Sequence, residues 1–209
     1  FTGRLIRDFA GISVTLLALG LFLISLYLWR MSSTLPNYQH LSDYTPPVMS
    51  RAHAGDGSLI AEYAEQRRIF VPINVVPEHL IQAFISAEDK NFFEHSGIDF
   101  VGVMRAVVQN VINVATGRRL EGASTITQQV AKNFLLSSDV TLERKLKEAV
   151  LAVRLENTFD KSQLLELYLN EIYLGMGRYG VAAAALHYFD KPLNPLSIAE
   201  VAYLAALPK

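Results

Sequence analysis

The chain has 209 residues, 51% of them hydrophobic, with 19 basic and 20 acidic side chains and a formal net charge of -1. That length suits one domain or two small lobes, and the near-neutral balance argues against a nucleic-acid binder that works by general basicity. The absence of cysteine excludes a disulfide scaffold, a thiolate zinc site and a cysteine nucleophile together.

Residues 9–29 carry no charge and are bracketed by Asp8 and Arg30. A helix of that length crosses a hydrocarbon core of ~30 Å. Arg4 and Arg7 precede it, and Tyr27 and Trp29 fall where an interfacial aromatic belt would sit. A cleaved signal peptide would have a shorter apolar stretch closing on small residues, unlike Trp29-Arg30-Met31. Residues 1–30 are therefore expected to form a cytoplasmic tip and transmembrane anchor, 31–47 a linker ending in Pro46-Pro47, and 48–209 an extracytoplasmic domain.

Segments 48–54 and 58–64 around Gly55-Asp56-Gly57 read as a β-hairpin, with 69–73 as a third strand. After Pro77 the pattern turns helical. Leu80, Ile81, Phe84 and Ile85 give an apolar period that ends near Glu88-Asp89. Residues 100–115 make a second helix, with Arg105, Gln109 and Asn113 on one face and valine and isoleucine over most of the rest. Residues 116–122 break the period and are expected to be mobile. Thr141 can cap a helix over 142–157. Asp160 with Gln163, and Ser197 with Glu200, read as capping boxes for helices from 161 to 174 and from 198 onward. The extramembrane part is thus expected to be mostly α with a small β appendage.

The near-zero net charge hides a segregation. From 105 to 154 there are eight basic residues, Arg105, Arg118, Arg119, Lys132, Arg144, Lys145, Lys147 and Arg154, against four acidic ones. The rest of the chain is net acidic. A basic zone near a membrane suits an anionic headgroup or a phosphate-bearing substrate, although solvated helix faces are the commoner fate of such residues.

Three clusters stand out. Glu88-Asp89 is followed by Phe92, Phe93 and His95, and a carboxylate beside aromatic rings is partly desolvated, which raises its pKa toward the range useful for proton transfer. Gly122-Ala123-Ser124-Thr125-Ile126-Thr127-Gln128-Gln129 opens a helix whose free N–H groups could receive an anion, with Ser124, Gln128 and Lys132 spaced along one face. Arg144, Lys145 and Glu148 are helical neighbours. Taken singly, each fits an ordinary cap, loop anchor or salt-bridged surface as well.

Together, in order, they resemble the peptidoglycan glycosyltransferases of family 51, the transglycosylase domain of class A penicillin-binding proteins. Glu88-Asp89-x-x-Phe92-x-x-His95-x-Gly97 matches the first motif, Gly122-x-Ser124-Thr125-Ile126-Thr127-Gln128-Gln129 the second and Arg144-Lys145-x-x-Glu148 the third. Leu165-Glu166-x-Tyr168-Leu169-Asn170 matches the fourth, and Tyr179-Gly180-Val181-Ala182-Ala183 through Tyr188-Phe189 the fifth. Asp190 departs from the pattern where glycine is common, and Met176-Gly177-Arg178 is also unlike it.

The resemblance implies a lysozyme-like bilobal α fold whose smaller lobe dips into the membrane surface. It implies polymerisation of lipid II into β-1,4-linked glycan, with inversion and release of undecaprenyl diphosphate. Glu88 would be the base. Arg105, Lys132, Arg144 and Lys145 would meet the diphosphate, with Ser124, Gln128, Gln129 and Asn170 as further substrate-binding positions. Glu148 would organise the cations or hold a divalent metal such as Mg2+. Partners implied are the growing glycan chain, inner-membrane lipids, moenomycin-type inhibitors and other cell-wall synthesis proteins, and no nucleic acid. A lytic muramidase-like enzyme or a non-catalytic cell-wall scaffold are the alternatives. No Ser-x-x-Lys acylation motif is present, so a transpeptidase domain is expected to be missing from this sequence.

Overall fold

A single long helix, α1 (Thr2–Ser32), opens the chain in the computed structural model, which describes residues 2–39, 41, 50–56, 58–63, 67–136 and 141–208. Its Gly11–Ser32 stretch is long and apolar enough to cross a membrane, and Met31 is its one buried side chain among those described. Phe1–Pro36 and Asn37–Lys209 form two separate compact units. Residues 42–47 of the expected linker, and residues 48, 49, 57 and 64 at the ends and turn of the expected hairpin, lie outside the described residues.

The second unit begins with that hairpin. Strands β1 (Ser50–His53) and β2 (Leu59–Tyr63) pair antiparallel with Ser50 opposite Tyr63 and Ala52 opposite Ala61. The Asp56 carboxylate accepts from Ser58 N at 2.9 Å and from Ser58 Oγ at 2.7 Å, an Asx-type closure of the turn.

The third strand differs from expectation. Only β3 (Arg67–Arg68) joins a sheet, a parallel pairing with β4 (Arg178–Tyr179). Beyond it, side chains take the backbone groups that a ladder would have used. Asn170 Oδ1 accepts from Val71 N at 2.7 Å while its Nδ2 donates to Val71 O at 2.9 Å, and Glu166 Oε2 accepts from Ile73 N at 2.7 Å. Pro72, between them, has no N–H to offer a partner strand. Arg68 pairs with Glu171 just before this stretch, and a 3-10 turn, Ile73–Val75, follows it.

Helices then make up nearly everything: α2 (Glu78–Glu88), α3 (Phe100–Thr116), α4 (Ile126–Leu135), α5 (Leu142–Glu156), α6 (Lys161–Glu171), α7 (Val181–Phe189) and α8 (Ile198–Ala205). Mostly α is what the sequence pattern calls for. Leu80, Ile81, Phe84 and Ile85 are the buried residues of α2, at the spacing their period demands. Both expected capping boxes form, and Thr141 caps α5 by accepting from Arg144 N. Helix α6 stops at Glu171 rather than 174. Ile172 leaves helical geometry (φ -58°, ψ 131°), and its carbonyl accepts from Gly180 N, while Leu174 N donates to Arg178 O. Helix α4 packs on α5 and α6, and α2 packs on α8. Phe84, Phe92, Ile126, Leu151, Leu155, Leu164 and Leu169 are wholly buried between them.

The two departures from the family pattern share a backbone feature. Met176 (φ 52°) and Asp190 (φ 53°) are the non-glycine residues with positive φ among those described. Asp190 is the C-cap of α7, the left-handed position where glycine is strain-free.

Candidate active site

Glu88 is the last residue of α2 and sits half-buried at the rim of a cavity of about 650 Å³. Its Oε2 accepts from Gln129 Nε2 at 2.5 Å. Burial raises the carboxyl above its ordinary value and the neighbouring Asp89 charge adds to that, while the Gln129 bond and the Lys132 charge act the other way. Below it, the buried Tyr168 ring meets Phe84 edge-on at 6.2 Å. The Tyr168 phenol is pushed well above its usual range, first by desolvation and then by the Glu88 and Asp89 charges. These shifts mark a dry, acidic corner suited to a general base.

Otherwise the cavity is mainly cationic in its charged lining. Arg119, Lys132, Arg144 and Lys145 line it, with Glu148 the only other carboxylate among the lining residues. Glu148 is 2% exposed and lies between two cations: Lys145 Nζ donates to Oε2 at 2.8 Å, and Arg144 Nη1 stands 2.7 Å from Oε1, an ion pair off hydrogen-bond alignment. Lys145 Nζ also donates to Ser124 Oγ at 2.7 Å, joining the second and third motifs. One cavity thus holds a partly desolvated carboxylate and a cluster of cations.

A smaller hollow of about 170 Å³ adjoins it, sharing Ala87, Glu88, Gly122 and Ser124. Arg105 lines this hollow, with Lys90, Asp99 and Glu121, and is not part of the larger one. The candidate residues therefore divide. Glu88, Ser124, Gln128, Gln129, Lys132, Arg144, Lys145 and Glu148 meet in the main cavity, and Arg105 lies on the other side of Glu88. Asn170 lines neither. It is 7% exposed, and its amide grips Val71 and the Glu166 carbonyl, so it clamps the 68–73 segment rather than reaching substrate.

Helix α4 corrects a second expectation. Three of the N–H groups at its start are already bonded within the protein. Thr125 Oγ1 accepts from Gln128 N, Gln128 Oε1 accepts from Thr125 N, and Asp89 Oδ2 accepts from Ile126 N at 3.0 Å. This is a capping box whose third bond comes from another motif. Gln128 is 5% exposed with its amide oxygen engaged, which leaves only its Nε2 for the cavity. Asp89 is likewise structural, with both oxygens 3.0 Å from His95 Nε2.

The stretch 116–122, expected to be loose, is tied down. Asn113 Nδ2 donates to Arg119 O at 3.0 Å, and Asn110 exchanges two bonds with the Glu121 backbone. Those ties carry Arg119 and Leu120 to the cavity wall. Arg119, Asn133 and Tyr173 are lining residues that sequence reasoning did not nominate. Arg119 was visible only as part of a basic zone, because a loop without periodicity gives no face to assign.

The donor set does not fit a resident divalent metal at Glu148. Its two oxygens face Arg144 and Lys145, and among the described residues no three His, Asp or Glu side chains converge.

A family model described as Transglycosylase matches residues 56–209. Similar relatives are named penicillin-binding protein 1A: that of Rickettsia felis is 51% identical over 95% of this chain and 25% of its own length. That of Aquifex aeolicus is 47% identical over 99% and 27%, and that of Neisseria cinerea 45% identical over 99% and 25%. The chain thus spans about a quarter of the length of the curated relatives it matches. The solved structure of penicillin-binding protein 1A from Haemophilus influenzae shares 27% identity over 79% of this chain and 14% of that one, with a TM-score of 0.37. On the strength of the match across 56–209, the chain belongs to the transglycosylase family, the glycosyltransferase-domain family of class A penicillin-binding proteins.

Proposed function

We propose that this chain is a membrane-anchored peptidoglycan glycosyltransferase that polymerises lipid II into β-1,4-linked glycan strands with inversion, releasing undecaprenyl diphosphate. The observation that carries the reading is the pairing of a partly desolvated Glu88 with the cations Arg119, Lys132, Arg144 and Lys145 in one cavity. A sugar hydroxyl is a poor nucleophile at neutral pH and needs a positioned base, the role assigned to Glu88. A diphosphate leaving group develops charge that preorganised cations stabilise, the role assigned to Lys132, Arg144 and Lys145. Glu148 keeps two of those cations in place, and Gln129 orients Glu88.

Helix α3 supports the membrane part. Phe100, Val101, Met104, Val107, Val108, Val111, Ile112 and Val114 are all exposed on it, and only Ala106 and Asn113 are buried. An apolar face of that extent on a helix marks a lipid or partner contact, here assigned to the outer leaflet in which the substrate's tail stays. With α1 as the anchor, the catalytic unit would act on the extracytoplasmic side.

Incubating the purified chain with lipid II tests the reading. Glycan polymer is the expected product. Cleavage of preformed glycan instead would indicate a muramidase-like enzyme, and neither product would indicate a scaffold.

A further inference from the structure

Thr127, Glu156 and Lys161 line neither cavity, yet they converge on the loop that follows Glu88. Lys161 Nζ, at the start of α6, donates to the His95 carbonyl at 2.7 Å and to Glu156 Oε1 at 2.7 Å, and stands 4.4 Å from the centre of the Phe92 ring. Glu156, the last residue of α5, is 6% exposed at its side chain. It also accepts from the hydroxyl of the wholly buried Thr127 at 2.6 Å. One ammonium and one carboxylate thereby join α4, α5, α6 and the 91–97 loop.

What they hold leads directly to Glu88. His95, whose carbonyl Lys161 grips, places its Nε2 on the Asp89 carboxylate. Asp89 in turn accepts from Ile126 N and immediately follows Glu88. The loop's other end is fixed independently. Gly97 O accepts from Thr125 Oγ1 at 2.7 Å, and Gly97 lies so close to α5 that a Cβ there would fall 2.7 Å from the Ala152 carbonyl carbon. Only the His95 end depends on a side chain from α6.

We propose that Lys161 and Glu156 are positioning residues for Glu88, acting through His95 and Asp89 to fix the end of α2 at which the base sits. The inference rests on the glycosyltransferase reading. An isolated Lys161→Met would leave Glu156 buried without its cation, which is costly whatever the pair does. The test is therefore the neutral double variant Lys161→Met with Glu156→Gln, assayed in the full chain for steady-state lipid II polymerisation. The expected result is a fall in kcat of about tenfold or more with KM within about twofold, because a misplaced base slows the chemical step while the binding residues stay put. Leu193→Ala, a core substitution away from the cavities, serves as the control for stability. Wild-type kcat in the double variant overturns the proposal, and so does an equal kcat loss in Leu193→Ala at matched Tm. If the double variant fails to fold, Thr127→Val replaces it, removing only the hydroxyl bond to Glu156. A severalfold kcat loss at constant KM supports the proposal there, and an unchanged kcat overturns it. A wild-type chain that makes no polymer defeats the underlying reading instead.

Discussion

Glu88 and Glu148 face the same cavity and are built to opposite ends. Glu88 is half-buried, bonded by a neutral amide, and held above its ordinary pKa by desolvation. Glu148 is almost fully buried between Arg144 and Lys145, so its charge is matched where it stands. One carboxylate is costly to ionise and therefore eager for a proton. The other is a fixed counter-charge that keeps two cations from repelling each other. Environment, not residue type, separates base from scaffold.

Removing each charge in turn should break the pair apart. Glu88→Gln should abolish polymerisation, by ~10²–10⁴-fold for loss of a positioned base. It should nonetheless raise the Tm at neutral pH. A carboxyl whose folded pKa is raised favours the folded state at low pH and loses that contribution as pH rises from the ordinary value through the raised one, so the variant's advantage grows across that interval and is complete above it. The gain should vanish below the ordinary glutamate value of 4.5, as thermal melts across pH would show. By the same logic the acid limb of the wild-type kcat profile should fall above that value.

Glu148→Gln should do the reverse to stability. It leaves Arg144 and Lys145 without their counter-charge, and a loss of about 3 kcal/mol in denaturant unfolding is expected, the low end for breaking a buried pair because Lys145 is partly solvated. If both glutamine variants melted alike, the contrast between the two carboxylates would be wrong.

Lys132→Ala probes the cationic wall without touching a buried pair. Binding of a moenomycin-type phosphoglycolipid should weaken by about tenfold, the loss of one charge-assisted contact, in a direct titration. Unchanged affinity would remove Lys132 from the site.

The smallest effect on stability should come from α3. Val107→Asn with Val111→Asn should leave the melting curve within about 0.5 kcal/mol of wild type, because both valines are more than half exposed. Liposome flotation of a protein beginning near residue 48 should nevertheless drop. A lost fold would mean that these valines are core after all.

What was legible in the sequence was local. Caps at Thr141, Asp160 and Ser197, and the apolar period of α2, act within one helical turn, so adjacent residues announce them. What stayed hidden was carried by side chains acting over long separations. Asn170 satisfies Val71 from 99 residues away, which turned an expected strand into a side-chain-bonded segment and an expected substrate ligand into a clamp. Asp89 takes the Ile126 N–H at the start of α4 from 37 residues away, so that what reads as an open anion site is partly occupied from within. Eight of the residues nominated from the family motifs line one cavity. The motifs did not distinguish residues facing the cavity from residues holding its walls.

The segment fastened to α6 has a mechanical consequence. Arg68, Val71 and Ile73 are gripped by Glu171, Asn170 and Glu166, three positions along one helix, and all three grips come before α2 begins at Glu78. Tension arriving along the chain from its N-terminal side therefore loads the β3–β4 pairing and α6 first. It must part that short ladder and the side-chain attachments to α6 before it can tug on the helix that ends in Glu88. A tethered enzyme working on a moving lipid surface would have its strain relief there, as a cable is clamped to its housing before it reaches the solder joint.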